Sequence, residues 1–581
     1  MKYKLLAASI LATISTSALS ATYKLTELES YDGAKKNYIS DVSNSGHIIG
    51  LAENLYNFPI DVSYINFELD LIKTAYNNTK ANYEKINKEI TFTLDEIKNE
   101  NAAALNPDAH AFMLSFLALQ ANNPDYQKIG RFVGINYLNS SAQEQVLFDI
   151  SSVDYDGLTR SVNNLYNAVS EDGVSVGWGT APYDKTTFTA DGETEEETQF
   201  VRDFISRGII LSPSGAEVPL IPEFSEHGGI STANDIVKTN SGYVVVGQVS
   251  TGIPADRQKN IDDSCDGKDE LVSVCIERLN ITHQRSGGLF DKRAVMWTLD
   301  DNLNITKTQE LGLGFTPEDD ESESFAYSSN AIAVNGKDIA VGYSSVRYYD
   351  RASTIISLPA YYKDGKVAEI VNQEDGWVEG QASAISENNI IVGYASKQID
   401  GAQRYKLFYH DIASNSTVFP TDYFSSSSSF ANSINDNGYI VGEGETDVYN
   451  TSNRRREGFL YKIGDDKITN LNDLLPCYEL DGETRYKYTV SEARVINNDN
   501  EIFGVATKTV EKTDSLGGVV RDTNGDIEYE SVPVPIKLTP INGEVESCSD
   551  PATETYERQS ASFPWYTLLL LPLVGLRRVF R

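Results

Sequence analysis

The sequence predicts an all-β protein with the fold of a β-propeller, on three observations. A strand–turn–strand motif ending in a Val-Gly or similar pair recurs seven times. Short aromatic strands recur between its copies, and about four strands fit each later repeat of roughly 50 residues. Seven copies predict seven blades, with six or eight left open because terminal repeats can share a blade. The motifs end at Gly50, Gly177, Gly247, Gly342, Gly393, Gly442 and Gly504.

The copy at Ala431–Gly442 shows the physical logic of the repeat. A short apolar strand leads into Asn-Asp-Asn-Gly, whose residues tolerate positive φ and close a tight hairpin. A glycine inside the returning strand lowers stability unless another backbone approaches closely. We therefore expect strands crowded towards a common axis. The competing interpretation is a β-sandwich with incidental Asn-Gly turns.

Residues 63–130 interrupt the β pattern of a propeller that we place at residues 21–540. Phe67, Ile72 and Tyr76 recur at helical intervals among polar residues, and Pro107 suits the first turn of another helix. These residues predict a small α-helical insertion, which either differentiates the function or covers an exposed strand edge.

The two ends of the chain predict export. Residues 1–20 have the charged start, apolar run and small-residue cleavage site of a signal peptide. A polar linker, 541–562, precedes a hydrophobic tail, 563–581, with a basic end. The apolar run 563–576 would extend about 21 Å as a helix, short of a hydrocarbon core of about 30 Å. We expect membrane contact through this tail at least in the precursor, and a location in the periplasm, on the outer surface or in the medium.

Charge and cysteine usage agree with an exported protein. The 581 residues include 84 Asp and Glu against 49 Lys and Arg, a net charge of −35, which argues against nucleic acid as a partner. We expect a monomer. The four cysteines allow three connectivities, of which Cys265–Cys275 with Cys477–Cys548 is favoured. Their spacings lack the CxxC pattern of a zinc site.

The motif A-x-x-I-N-x-N-G-x-I-V-G resembles the HAF repeat of exported bacterial proteins. Together with the Arg207-Gly208 strand and the segment Leu471–Pro476, the layout resembles an uncharacterised family of exported proteins from marine gammaproteobacteria. The tail resembles the tripartite C-terminal sorting signals of Gram-negative bacteria, although Gln559–Ser562 stands where the GlyGly type has its glycine pair. The resemblance implies secretion and a propeller-like fold. It implies no catalytic residues, because the family is a domain of unknown function.

Candidate chemistry is sparse. The five histidines are scattered, and no nucleophile elbow, phosphate loop or dinucleotide fingerprint occurs. Two acidic segments predict weak calcium sites, because carboxylate and amide oxygens are the ligands that Ca²⁺ prefers. The alternative is a pair of solvated acidic loops. The candidate ligands are Asp262, Asp263, Asp266 and Asp269 in one segment, and Asp522, Asn524, Asp526 and Glu528 in the other.

These observations favour a non-enzymatic, exported propeller that binds a protein or a glycan at the cell envelope. The rival hypothesis is a hydrolase or lyase that acts on polysaccharide, with carboxylates gathered at the propeller channel. A third is a structural or assembly factor whose tail matters more than its propeller. Several acids with an Arg or His in the channel would favour an enzyme, whereas a face lined by Tyr and Trp would favour binding.

Overall fold

A computed structural model describes residues 22–543, except 100–104, 139–140, 156, 318–324, 350, 450–452, 481–482, 486–487 and 523. The signal peptide, nearly all of the polar linker and the hydrophobic tail lie outside the described residues. Their assignments stay predictions.

Seven four-stranded antiparallel sheets form the described fold, one for each blade of a propeller. The first three blades contain β2 (Ala34–Val42), β3 (Ile48–Leu55), β4 (Phe132–Leu138) and β5 (Ser141–Glu144); β8 (Asn164–Val169), β9 (Ser175–Gly179), β12 (Arg207–Leu211) and β13 (Glu217–Leu220); and β14 (Ser231–Thr239), β15 (Gly242–Gly252), β16 (Asp291–Leu299) and β17 (Ile305–Gly312).

Blades 4 to 6 follow without large insertions. They contain β18 (Ser329–Val334), β19 (Ala340–Tyr348), β20 (Arg351–Lys363) and β21 (Lys366–Glu369); β22 (Glu379–Ile385), β23 (Ile390–Ile399), β24 (Ala402–Asp411) and β25 (Ser416–Val418); and β26 (Ser429–Ile434), β27 (Tyr439–Glu445), β28 (Arg456–Lys462) and β29 (Thr469–Asn470). The three small hairpins outside the blades are β6 (Ser151–Ser152) with β7 (Gly157–Leu158), β10 (Asp184–Phe188) with β11 (Glu197–Val201), and β30 (Tyr478–Leu480) with β31 (Glu483–Arg485).

Blade 7 closes the ring by combining both ends of the propeller. It contains β32 (Thr489–Ile496), β33 (Ile502–Glu511) and β34 (Tyr529–Pro540), with β1 (Tyr23–Glu27) paired to β34 as the outermost strand. Each innermost strand contacts the innermost strand of the next blade, and β32 contacts β2. The hydrophobic core lies between neighbouring blades, where residues such as Val176 and Val295 pack in one cluster. The prediction of a seven-bladed propeller is confirmed.

Each blade carries one repeat glycine, in its second strand, opposite a bulge in the innermost strand. A Cβ on Gly442 would lie 1.9 Å from the carbonyl oxygen of Phe430, and one on Gly342 would lie 2.0 Å from that of Asn330. At all seven glycines the nearest atom to such a Cβ is a carbonyl oxygen of the innermost strand. The expected crowding is therefore present, but it arises against the neighbouring strand of the same blade and not at the axis itself.

The tight turns between the first and second strands share one end of the propeller, which we call the turn face. There, the second residue of a turn donates its backbone N–H to the side chain of the equivalent residue in the next blade. Five such bonds run from Asn498 to Asn44 (2.9 Å), Asn44 to Glu171 (3.2 Å), Gly336 to Glu387 (2.7 Å), Glu387 to Asp436 (2.9 Å) and Asp436 to Asn498 (2.9 Å).

The opposite end is the insertion face, because strands within a blade alternate in direction and the connections between second and third strands lie there. Blade 1 inserts α1 (Asp70–Lys85), α2 (Leu94–Asn99) and α3 (Pro107–Leu119), within the range predicted to be helical. Asn106 caps α3 by accepting the N–H of Ala109 at 2.8 Å.

Blade 3 inserts a second helical unit that the sequence analysis did not predict. Its helices are α4 (Ala255–Ser264) and α5 (Val272–Thr282), and the predicted disulfide Cys265–Cys275 joins them. The two insertions meet the β10–β11 hairpin of blade 2. There the backbone N–H of Asp191 donates to the carbonyl of Lys268, and that of Phe200 donates to the carbonyl of Pro124, both at 2.7 Å. Together they form a continuous layer above blades 1 to 3. Of the helices in the described part of the chain, none is long and apolar enough to cross a bilayer.

Candidate functional site

A cavity of about 850 Å³ lies on the insertion face, between the inserted layer and the ends of the blades. The segment after α3, the β9–β12 connection and α5 wall it on one side, and strands of blades 4 and 5 line it on the other. Gln381 and Tyr394 border both this cavity and the central channel, so the two spaces adjoin. We call it the insertion-face cavity.

Five aromatic rings line the insertion-face cavity: Phe132, Trp178, Tyr183, Tyr343 and Tyr394. All five side chains are partly exposed, and Phe132 and Trp178 meet edge to face with centroids 6.0 Å apart. Trp178, Tyr343 and Tyr394 each directly follow a repeat glycine. That shared repeat position brings together rings from three blades, although Trp178 and Tyr394 are more than two hundred residues apart in the sequence.

Four cationic side chains also line the cavity, against only two carboxylates, Glu277 and Glu379. The lining therefore carries a formal charge of 4 − 2 = +2 within a chain of −35. The four cations are Lys128, Arg131, Arg202 and Lys292.

A hydrogen-bonded cluster on the side of blade 2 and α5 organises part of this charge. The Glu277 carboxylate accepts from the Tyr183 hydroxyl and from Arg202 Nη2, both at 2.7 Å. The Lys128 ammonium donates to the carbonyl of Ala121 at 3.1 Å and lies 5.8 Å from the centroid of the Tyr183 ring. Burial lowers the pKa of Lys128 to about 8, because desolvation penalises the charged amine.

The remaining two cations have no such partner. Arg131 is exposed at the start of β4, and Lys292 lies partly buried on β16. Within the described ranges, neither side chain makes a hydrogen bond or an ion pair. Burial lowers the pKa of Lys292, with the charge of Arg257 acting in the same direction.

The end of the cavity at blade 5 differs in charge. Glu379 is exposed there, and its Oε2 accepts from Gln403 at 3.0 Å and from the Tyr405 hydroxyl at 2.9 Å. The cavity is thus cationic beside blades 1 to 3 and anionic beside blade 5.

The central channel, a space of about 600 Å³, is lined by the seven bulged residues of the innermost strands and their neighbours. It contains four carboxylates and two arginines. Asp41 accepts the backbone N–H of Val169 at 2.9 Å and Asp235 that of Val334 at 2.8 Å, in each case from the innermost strand of the next blade. Glu443 pairs with Arg456 at 2.7 Å and Glu492 with Arg494 at 3.4 Å.

Three of the channel carboxylates have raised pKa values. Desolvation raises the pKa of Asp41 to about 6 and that of Asp235 to about 7, and the charge of Asp41 adds to the effect on Asp235. Burial also raises the pKa of Glu443, with the nearby Glu492 contributing. Each of the four has a protein partner in the described structure, and those of Asp41 and Asp235 lie on the next blade.

The calcium candidates lie apart from both spaces. Asp262 and Asp263 are on α4 and not in a loop, while Asp266 forms an ion pair with Lys268 at 2.5 Å. Asp522 accepts the N–H groups of Asn524 and Asp526 at 2.8 and 2.9 Å, so it closes its own turn. Glu528 pairs with Lys512 at 2.6 Å, and no hydrogen bond or ion pair is described for Asp269.

No group of three His, Cys, Asp or Glu side chains in the described part of the chain is arranged to hold a metal ion. Calcium binding stays a prediction. The second predicted disulfide also stays one, because Cys548 lies outside the described residues.

The closed ring of seven sheets and the cavity beneath an inserted layer define a β-propeller with a candidate ligand site on one face. The chain belongs to a family described as protein of unknown function (DUF3466), which matches residues 1–579. This confirms the resemblance to a domain of unknown function. No curated protein sequence matches the chain.

Solved structures with related architecture are distant. The propeller domain of the Trilobed protease from Pyrococcus furiosus shares 8% identity over 72% of this chain and 91% of its own, with a TM-score of 0.32. An oligogalacturonate lyase in complex with manganese shares 10% identity over 71% and 83%, with a TM-score of 0.29. TolB from Acinetobacter baumannii shares 12% over 55% and 80%, with a TM-score of 0.20. No function follows from likeness at this level.

Proposed function

We propose that this protein is an exported, non-catalytic propeller that binds a glycan in the insertion-face cavity. The observation that carries the proposal is the set of five aromatic rings around one concave space. Aromatic side chains offer broad apolar faces with little loss of conformational freedom, and sugar rings present matching C–H faces. The amides of Asn163, Asn280 and Gln381 stand beside them as partners for hydroxyl groups.

The shape of the site supports a glycan over a protein partner. A space of about 850 Å³ is of the size of small-molecule sites, which span roughly 300–1,000 Å³. A stable protein partner would need about 800 Å² of contact from each side, and such patches are commonly flat. An oligosaccharide fits the cavity without requiring a protruding partner segment.

The same proposal places the protein at the cell envelope, as a monomer. The Cys265–Cys275 disulfide supports an oxidising compartment. The signal-like residues 1–20 and the basic-ended tail 563–581 support export with a membrane-tethered precursor. An intact-mass measurement on membrane and medium fractions tests this part: a mass that keeps residues 1–20 would contradict export.

Trp178 provides the assay for ligand binding. The sequence has four tryptophans, of which Trp297 and Trp377 are buried and Trp565 lies in the tail. A sugar stacked in the cavity should therefore change the fluorescence of Trp178, and Trp178→Phe should abolish the change. The probes are neutral and acidic hexasaccharides, added to the purified full chain.

A matched pair of tyrosine variants completes the test. Tyr394→Ala should weaken binding at least tenfold, since stacked aromatic anchors carry much of the energy of such sites. Tyr449→Ala removes a ring that is 94% exposed and outside the cavity, and should leave affinity unchanged. Absence of binding by every hexasaccharide, or equal effects of the two variants, would refute the proposal.

The channel supports a second candidate, a hydrolase or lyase that acts on polysaccharide. Four carboxylates converge there, and three of them have raised pKa values, a feature common at catalytic sites. The test is turnover: incubation with polysaccharide, followed by measurement of new reducing ends or of the ultraviolet absorbance of an unsaturated product. Turnover that is lost in Glu443→Gln would establish the enzyme, and its absence from the wild-type protein would leave the carboxylates a structural role.

A further inference from the structure

We infer that the glycan bound in the insertion-face cavity is anionic and that its acidic groups lie beside blades 1 to 3. This inference rests on the proposed glycan-binding function and adds the chemical class of the ligand. It is carried by Arg131 and Lys292, two cations that face the cavity without a partner in the described structure.

The composition of the chain makes unpartnered cations noteworthy. Acidic residues outnumber basic ones by 84 to 49, so a cation placed without constraint would readily meet a carboxylate. Basic side chains elsewhere differ in this respect: Lys35 pairs with Glu530 at 2.8 Å and Lys508 with Glu27 at 2.8 Å, whereas Arg207 and Arg293 donate to backbone carbonyls. Leaving Arg131 and Lys292 unpaired at one cavity keeps positive potential available to a ligand.

Burial strengthens the argument for Lys292. The ammonium group of Lys292 is desolvated and lies near the like charge of Arg257, while the adjacent Asp291 carboxylate offsets part of this penalty without an ion pair. An anion brought into the cavity would recover more of the cost. The backbone of Lys292 is fixed on both sides, because it pairs with Ser250 of β15 and donates its N–H to the carbonyl of Tyr327 at 2.9 Å, so it cannot withdraw from the cavity. The lowered pKa of this lysine agrees with the same cost.

The other two cations have structural partners and contribute differently. Arg202 is neutralised by Glu277, yet its Nε is buried without a hydrogen-bond partner. Lys128 donates to backbone carbonyls after α3, which orders that wall, and its positive charge remains uncompensated by any ion pair in the described ranges. Lys128 therefore adds to the positive potential on this side of the cavity, whereas the Arg202–Glu277 pair has no net charge.

The charge at the other end gives the ligand a direction. Glu379 beside blade 5 would repel an acidic sugar, whereas its neighbours Tyr394 and Gln381 suit a neutral ring. The inferred ligand is an oligosaccharide with carboxylate or sulfate groups near Arg131 and Lys292. Its uncharged end lies near Tyr343 and Tyr394.

Matched ligands separate this inference from the proposed function. The probes are hexamannuronate, its methyl ester and a sulfated galactose hexamer, each titrated by calorimetry into the purified full chain. We expect hexamannuronate, the sulfated hexamer or both to bind at least tenfold more tightly than the methyl ester, with affinity falling as salt is added. Tighter binding of one acidic probe identifies carboxylate or sulfate as the preferred group.

Matched variants locate the effect in the cavity. Arg131→Gln and Lys292→Gln should each weaken binding of the acidic probe about tenfold and leave binding of the methyl ester unchanged. Lys366→Gln removes one positive charge from an exposed position outside the cavity and should change neither. Circular dichroism confirms that each variant is folded.

The outcomes are distinct. Equal affinity for the acid and its ester would overturn the inference while the glycan-binding function stands. Equal effects of Lys366→Gln and Arg131→Gln would also overturn it, because the attraction would then come from overall charge. Absence of binding by all three probes and by neutral hexasaccharides would refute the proposed function itself.

Discussion

Replacing one repeat glycine by alanine tests how the blades hold together, and Gly442→Ala is the sharpest case. The new Cβ would lie 1.9 Å from the carbonyl oxygen of Phe430, more than about 1 Å inside normal contact. That oxygen belongs to Phe430, whose position is fixed by its pairing with Glu443 just before the bulge. Since neither backbone can move alone, we expect the free energy of unfolding to fall by about 3 kcal/mol.

The control is Gly252→Ala, at the end of β15. A Cβ there meets no atom within 4 Å, and the backbone needs no left-handed conformation. That variant should keep its stability or gain up to about 1 kcal/mol from a less flexible unfolded chain. Urea unfolding of both variants, followed by the fluorescence of the buried Trp297 and Trp377, measures the difference. Equal midpoints for the two variants would show that the close approach does not determine stability.

Three further predictions concern pH and the disulfide. Since the pKa of Asp235 is raised to about 7, the folded chain binds a proton more tightly than the unfolded chain, and the free energy of unfolding should fall as pH rises from about 4 to 7. Asp235→Asn does not titrate and can still accept the N–H of Val334. Its free energy of unfolding relative to the wild-type protein, measured with urea, should therefore be up to about 4 kcal/mol higher at pH 8 than at pH 4. The double variant Cys265→Ser/Cys275→Ser removes the disulfide between residues ten positions apart, and thermal unfolding should show a loss of roughly 3 kcal/mol in the free energy of unfolding. It should also weaken ligand binding, and an unchanged affinity would show that the disulfide does not order α5. Because the pKa of Lys128 is about 8, calorimetry should show acidic-ligand affinity falling above about pH 8, and a flat profile identical to that of Lys128→Gln would contradict a role for its charge.

The fold was largely predictable because its repeat is short and physically constrained. Each motif couples a positive-φ turn to a glycine opposite a bulge, so seven glycines identify seven blades. The blade number stayed open at the sequence level because β1 pairs with β34 across more than five hundred residues, and no local pattern marks that pairing.

The helices of blade 3 were missed because acidic residues hide a short amphipathic pattern. Arg257 and Ile261 are the buried residues of α4, and only four residues of α5 are buried. The run from Asp262 to Glu270 resembles a solvated loop by composition, although its first residues continue a helix. Helices this short depend on tertiary contacts and on the disulfide, which sequence periodicity does not register.

The candidate site was not predicted, although part of its signal stood in the sequence. An aromatic residue directly after the repeat glycine occurs in three of the seven copies, at Trp178, Tyr343 and Tyr394. The cations Arg131 and Lys292 carry no motif, since their role depends on which connections the propeller brings to one face. A search for aromatic residues at this repeat position finds three of the five rings that line the cavity and none of its cations.

The two faces of the propeller differ in the contacts that their residues make between blades. On the turn face, the belt of backbone-to-side-chain bonds requires a polar side chain at the second position of each turn. Gly336 has no side chain, so blade 4 cannot accept the N–H of blade 3. The five bonds of the belt also leave blades 2 and 3 unconnected. On the insertion face, serines at the start of the innermost strands join neighbouring blades: Ser329 Oγ accepts the N–H of Ala294 at 2.9 Å and Ser429 Oγ that of Leu407 at 3.0 Å. The long insertions extend beyond these bonds.

That asymmetry explains why the cavity lies where it does. In the channel, Asp41 and Asp235 already bind backbone groups of the neighbouring blades, as Ser329 and Ser429 do at the blade ends below the insertions. Side chains free of those duties occur where α5, the segment after α3 and the blade ends meet. An insertion can change there without disturbing ring closure, so that face can acquire ligand specificity at little cost to the stability of the propeller.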